Sequence, residues 1–313
     1  MHMGRKKIAL IGGGQIGGIL ALLVAQKELG DAVMLDIPDK EGVAKGKTLD
    51  IMEAAPLMGV DSNLRGTSNY DDIAGADVVI ITAGLPRKPG MSREDLLDTN
   101  LKIMSDVAKN VKKQCPKAFC IIVTNPLDAM VYAFKKVTGF PKQQVAGMAG
   151  VLDTGRFNAF VAMELGVSAS DVAGTVLGGH GPTMVPLPRT CTVGGVPLTE
   201  LLSQEQIDGI VKRTREAGTE IVKLLGNGSA FFSPAVSAIE MAEAYLKDKK
   251  RILPCAAMLE GEYGINGYYI GVPALIGAGG VEKVIEIALK DDESAALMAS
   301  LEAVKKAVAE TKL

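Results

Sequence analysis

"KIALIGGGQIGGILALLVAQ", residues 7–26, decides the fold. Its first five residues are an apolar, partly β-branched run, which reads as a buried strand. Three glycines follow, and then a segment from about Gln15 to Leu29, apolar on most faces, which reads as a helix. A basic start, an apolar run and small residues also resemble a signal peptide. The triple glycine argues against that, because it weakens a helical core and suits a tight turn. The unbroken apolar run Ile19–Ala25 is also too short to span a bilayer.

Strand, glycine turn and helix together give the pattern Gly12-x-Gly14-x-x-Gly17 its meaning. Gly12 permits the turn, Gly14 lets backbone approach a pyrophosphate, and Gly17 lets helix pack on strand. The helix N-terminus adds unpaired N–H groups and partial positive charge. Asp36 closes the next apolar run, "AVMLDI", nineteen residues beyond Gly17. A carboxylate there accepts ribose hydroxyls and repels a 2′-phosphate, so NAD is expected over NADP.

The alternation continues through the first half. "KEGVAKGKTLDIMEAA" and "SREDLLDTNLKIMSDVAKNVKKQC" read as helices, "ADVVIITAG" and "AFCIIVTNP" as strands apolar on both faces. Such strands between helices predict an α/β, doubly wound parallel sheet of the Rossmann type. Ligands bind at the carboxyl ends of these strands, which places Gly84 and Asn125 near the nicotinamide half. After about residue 150 the texture becomes mixed α+β, with a "VGGVP" hairpin turn, a strand-rich stretch at 251–277 and a closing helix from Glu293 to Thr311. The expected division is a nucleotide-binding domain over 1–147 and a catalytic domain over 148–313, which completes a cleft.

The 313 residues are 48% apolar, with a net charge of −2, so the chain offers no long-range attraction to nucleic acid or anionic lipid. An anionic ligand needs local arginines. "AGLPRKPGMSRED", residues 83–95, carries Arg87 and Arg93 on a Pro/Gly-bounded loop beside the nucleotide site, the pattern of a lid bringing charge to an anion. Ser92 to Asp95 has the outline of a capping box. In "VLDTGRF", Asp153 and Arg156 share a helix face. They form either a plain i,i+3 ion pair or a functional set, with the arginine forking onto a carboxylate and the aspartate orienting an imidazole. The chain has two histidines, His2 at its start and His180 in "LGGHGPTMVPL". Glycines on both sides of His180 leave backbone exposed and room for a ligand. The four cysteines, Cys115, Cys120, Cys191 and Cys255, form no C-x-x-C, so no metal site is expected and buried reduced thiols are.

"GGGQIG", "AGLPRKPGMSRED", "VTNPLD", "GVLDTGRF" and "GGHGPT" occur in that order. Together they resemble the lactate/malate dehydrogenase family, and within it the lactate-dehydrogenase-like malate dehydrogenases, over essentially the whole chain. The resemblance implies reversible NAD-dependent oxidation of (S)-malate to oxaloacetate, a step of the tricarboxylic acid cycle. It implies His180 as proton donor and acceptor, with Asp153 as its carboxylate partner. Arg156 grips the substrate C1 carboxylate and Arg93 polarises the keto oxygen. Arg87 stands at the position that meets the second carboxylate, where lactate dehydrogenases commonly carry glutamine. Asn125 contacts substrate and the nicotinamide region, and Asp36 the ribose. Gln15, Ile16, Asn100 and Val123 join Gly12, Gly14, Gly17 and Gly84 as cofactor contacts. Pro234 falls where the family lines the substrate pocket. The resemblance also implies a cytoplasmic homo-oligomer, a tetramer more than a dimer, with "GKTLDIMEAAPLM" and "SPAVSAIEMAEAYL" as candidate contact helices.

Three other readings share parts of this pattern. A lactate or broad 2-hydroxyacid dehydrogenase would leave Arg87 facing a methyl group without a partner. An NAD-dependent glycosidase needs metal ligands that the sparse Cys and His do not supply. A non-catalytic nucleotide sensor has no need of His180, Asp153 and three arginines together.

Overall fold

The computed structural model describes residues 4–85, 93–226 and 228–313, without the side chains of Arg93 and Glu94. The opening stretch forms strand β1 (Lys7–Ile11) and helix α1 (Gln15–Gln26). The helix stops earlier than Leu29: Lys27 and Glu28 close it, and Glu28 takes a positive φ of 48°. Then come β2 (Asp31–Leu35), α2 (Glu41–Met58), β3 (Leu64–Thr67), β4 (Val78–Ile81), α3 (Arg93–Gln114), β5 (Phe119–Ile122), α4 (Leu127–Thr138) and β6 (Val145–Gly147). Helix α2 continues through Pro56 for a further turn and closes at Gly59, φ +68°.

These strands lie in the order β3-β2-β1-β4-β5-β6, all parallel. Alternate residues explain why the strands read as continuous apolar runs. Ile8, Leu10, Val78 and Ile80 face α1 on one side, while Ala9, Ile11, Val79 and Ile81 face α3 and α4 on the other. Both faces are covered, as a parallel sheet requires.

The second half begins with α5 (Gly150–Leu165), entered three residues after β6 ends. Short strands follow: β7 (Val172–Ala173), β8 (Val176–Leu177), β9 (Val185–Pro186), β10 (Thr192–Val193) and β11 (Val196–Pro197). Gly194 and Gly195, with φ of 57° and 86°, make the β10–β11 turn, the left-handed pair that a two-residue hairpin favours. Helices α6 (Leu198–Leu201), α7 (Gln204–Leu225) and α8 (Phe232–Leu246) lead to β12 (Arg251–Glu260), β13 (Asn266–Gly277), β14 (Gly280–Val284) and α9 (Asp291–Ala309). The last three strands do not form a sheet of their own. Ala256 of β12 pairs antiparallel with Gly147 of β6, so a single nine-stranded sheet runs through both halves. Among the described residues, no helix is long and apolar enough to cross a membrane.

Candidate active site

Glycines build the nucleotide end of the site. Gly12 turns at φ +112°, and a Cβ there would stand 2.6 Å from Thr82 Oγ1. A Cβ on Gly17 would stand 2.0 Å from the Gly12 carbonyl oxygen, so the first turn of α1 sits directly on the loop that precedes it. Over Gly14 nothing lies within 4 Å: the backbone is open to a ligand. Gln15 is exposed and Ile16 half-buried at the start of the helix.

Asp36 follows β2 directly, and its Oδ2 accepts the Gly13 N–H at 2.8 Å while Oδ1 accepts its neighbour's N–H, that of Ile37, at 2.8 Å. Each oxygen keeps a second lone pair for a hydroxyl. Lys47, a residue the sequence reading passed over, reaches back from α2 and donates to the carbonyls of Gly13 and Gly14 at 2.8 and 2.7 Å. Burial lowers its pKa, and the Asp36 charge opposes that. A cavity of about 340 Å³ opens beside this loop, lined by Gly12, Leu35, Asp36, Ile37, Tyr70 and Ile103 among others. Open backbone, a carboxylate with spare acceptors and an apolar slot fit the adenosine and pyrophosphate of a dinucleotide.

The later strand ends are stitched together by Asn100. Its side chain is buried, accepts the Leu85 N–H at 2.8 Å and donates to the carbonyls of Leu85 and Asn125 at 3.1 and 2.7 Å. These bonds make it a brace between the loops after β4 and β5. Thr124 adds another, its hydroxyl donating to the Ala83 carbonyl at 2.7 Å. Gly84 leaves room for Thr124 and Asn100, Val123 is buried, and Asn125 is exposed at the strand end.

Residues far apart in sequence meet at the reactive end. Helix α5 carries Asp153 in its first turn and Arg156 one turn later. Asp153 is 3% exposed at the side chain and serves two partners at once. Its Oδ1 accepts from Arg156 Nη1 at 3.3 Å, and its Oδ2 lies 2.8 Å from His180 Nδ1. The i,i+3 ion pair and the imidazole contact therefore coexist. Arg156 Nε is buried without a hydrogen-bond partner among the described residues, which leaves part of its fork uncommitted. Burial pulls the His180 pKa down as the largest single influence. The Asp153 charge and hydrogen bond, aided by Asp128, outweigh it, and the net displacement is upward from 6.5 despite Arg156. This is the environment of an imidazole that accepts a proton readily and holds it.

Arg87 lies outside the described residues, as does the side chain of Arg93; Arg93 begins α3. Ser92 also falls outside, so the expected capping box does too. Pro234 is buried in the first turn of α8. All four cysteines are free and buried. Among the described residues, no group of three His, Cys, Asp or Glu side chains is placed to hold a metal.

Residues 6–147 match the family model described as lactate/malate dehydrogenase, NAD binding domain, and residues 150–312 that described as lactate/malate dehydrogenase, alpha/beta C-terminal domain. The chain belongs to the lactate/malate dehydrogenase family. Malate dehydrogenase from Myxococcus xanthus is 62% identical over 310 residues, 99% of each chain. The solved malate dehydrogenase of Cryptosporidium parvum is 48% identical, with a TM-score of 0.95 over 98% of this chain and 99% of that one. A lactate dehydrogenase from the same organism, solved with lactic acid and NAD cofactor, has the same identity and TM-score over 99% of each chain. In this dehydrogenase family, then, backbone likeness does not separate the two acids. Sequence reasoning also passed over Asp128, in the first turn of α4, whose Oδ2 accepts the His180 backbone N–H at 3.0 Å. Its signal was faint: one acid in "VTNPLD" beside an asparagine that drew the attention.

Proposed function

We propose that the protein is an NAD-dependent malate dehydrogenase, with His180 as the acid–base group. The observation that carries this is the 2.8 Å contact of His180 Nδ1 with buried Asp153, beside Arg156 and next to the Rossmann strand ends. The relatives at 62% identity, matched along their full length, support malate over other 2-hydroxy acids. So does Arg87, whose charge suits a second carboxylate and leaves pyruvate's methyl group unmatched.

In this reading Gly12, Gly14, Gln15, Ile16 and Gly17 cradle the pyrophosphate, and Asp36 takes the ribose. Gly84, Val123 and Asn125 border the nicotinamide half, with Asn100 setting their loops. NAD⁺, when bound, would supply the acceptor for the C2 hydride. Arg156 and Arg87 hold the two substrate carboxylates, which fixes C2 and its hydroxyl before the imidazole. Because Nδ1–H donates to Asp153, Nε2 carries the lone pair that removes the hydroxyl proton. Asp153 then stabilises the imidazolium. Arg93 stabilises the charge on the oxygen, an effect that grows as water is excluded. Oxaloacetate reduction runs the same steps backwards, with His180 giving its proton to the carbonyl oxygen.

We place the cofactor domain at 1–147 and the catalytic domain at 148–313. Four reduced, buried cysteines support a cytoplasmic setting, where malate oxidation serves the tricarboxylic acid cycle. A homo-oligomer, preferably a tetramer, is supported by apolar side chains on the two candidate helices: Leu49 and Leu57 on α2 and Phe232 and Val236 on α8 are 60%, 90%, 63% and 51% exposed. Light scattering tests that: a monomeric mass would sink it. NADH oxidation with oxaloacetate and pyruvate side by side tests the activity. Faster turnover of pyruvate, or of neither acid, would overturn the reading.

A further inference from the structure

The loop that carries His180 is held from several elements. Gly178, φ +90°, exchanges backbone hydrogen bonds with Gly271 of β13 at 2.9 and 3.0 Å. The Gly179 N–H donates to Ser300 Oγ of α9 at 2.8 Å. The N–H of His180 itself donates to Asp128 Oδ2 at 3.0 Å. A Cβ on Gly179 would stand 2.8 Å from Val304 Cγ2 and 3.1 Å from Asp128 Oδ2, so the loop is pressed onto α9 and α4.

Asp128 does more here than accept one N–H. Its other oxygen, Oδ1, is buried without a hydrogen-bond partner among the described residues. A carboxylate so placed is stable only beside positive charge, or with a proton of its own. Asp153 on α5 and His180 on the loop act on it, Gly179 of the same loop lies between it and Ser300 and Val304 of α9, and Arg156 bears on His180 from α5. We propose that Asp128 is a positioning residue for the reaction, holding the His180 backbone against α4 and adding a second negative charge that shares with Asp153 in stabilising the imidazolium. The titration pattern agrees. Burial pushes the Asp128 pKa up to about 6, the charge and N–H of His180 pull against it, and Asp153 adds to the rise. Each negative charge therefore makes the other costlier, and the proton on His180 relieves both.

This inference rests on His180 being the acid–base group. The test uses the 313-residue chain, in which His2 and His180 are the two histidines. With His2→Gln as background, the imidazole of His180 is titrated by NMR on isotope-labelled histidine. Asp128→Asn keeps an oxygen for the His180 N–H and removes the charge. It is expected to lower the His180 pKa by about one unit. The high-pH limb of oxaloacetate reduction, which needs protonated His180, should move down by the same amount. Should the asparagine variant not fold, Asp128→Ser carries the same comparison. A folded variant with the His180 titration unmoved overturns the proposal, whatever happens to its melting temperature. Failure of the acid–base assignment looks different: His180→Asn would then keep its turnover.

Discussion

Oδ2 of Asp153 lies 2.8 Å from Nδ1 of His180, across twenty-seven residues of chain. The contact joins the first turn of α5 to the loop between β8 and β9. Replacing Asp153 with Asn keeps the shape and removes the charge. The expected result is a fall in kcat of about 10²- to 10⁴-fold with NADH affinity little changed. The pH profile should move as well. In the proposed mechanism malate oxidation needs neutral His180, whose pKa Asp153 helps to raise. The low-pH limb of oxidation should therefore shift downward in the variant, and stopped-flow turnover across pH reads both effects.

In the proposed reading, Arg87 sets the choice of acid. Arg87→Gln should lower kcat/KM for oxaloacetate by about 10²-fold or more and raise it for pyruvate, because a charge-assisted fork is exchanged for a neutral amide. Steady-state kinetics on both acids decide the matter, and an unaltered preference would remove Arg87 from the specificity role.

Two glycines of one turn should fail in different ways. Gly17→Ala drives a methyl into the Gly12 carbonyl, 2.0 Å away, and should cost about 2 kcal/mol or more of stability along with NADH binding. Gly14→Ala meets nothing within 4 Å in the free protein. It should melt close to the parent and still bind NADH at least about tenfold more weakly, since in the proposed reading the added methyl would face the pyrophosphate. Thermal melting beside NADH fluorescence titration separates the two.

Acid stability should depend on Glu243 in α8. Burial pushes its pKa up, but Lys249, Lys27 and Lys247 donate to it at 2.7, 2.9 and 3.0 Å and bring it down to about 2. Between its ordinary 4.5 and that value the unfolded chain binds more protons than the folded one. The stabilisation is therefore complete above pH 4.5 and disappears as pH falls towards 2. The lysines are well exposed, so it amounts to about 1–2 kcal/mol after solvent screening. Glu243→Gln should lose that at neutral pH and flatten the acid limb of the melting curve, measured by calorimetry.

Local pattern carried much of this molecule. Strands β1, β2, β4 and β5 and helices α1, α2, α3 and α5 announce themselves through uninterrupted apolar runs, glycine turns and helical spacing, and these suffice for a doubly wound sheet. Asp36, Asp153, Arg156 and His180 stand out in the sequence as candidates, since each is a chemically distinctive residue in a distinctive setting, and the structure brings the last three together. Other elements are quiet in the sequence. Strand β6 is three residues long, β3 reads "LRGT" with an exposed Arg65, and α4 begins straight after Pro126 with an apolar run that resembles the strand before it. Their identity comes from pairing and burial, which no local window contains.

The deepest division lies between composition and contact. Residue types and spacing suffice for the parallel sheet, the dinucleotide turn and the chemistry available, because each depends on neighbours within a turn or a strand. That β12 joins β6 in one sheet, that Asn100 ties two strand ends, that Asp153 reaches His180, and that Asp128 holds the histidine loop are products of folding. These are long-range hydrogen bonds whose strength comes from exclusion of water, and water is excluded only once distant segments have packed together.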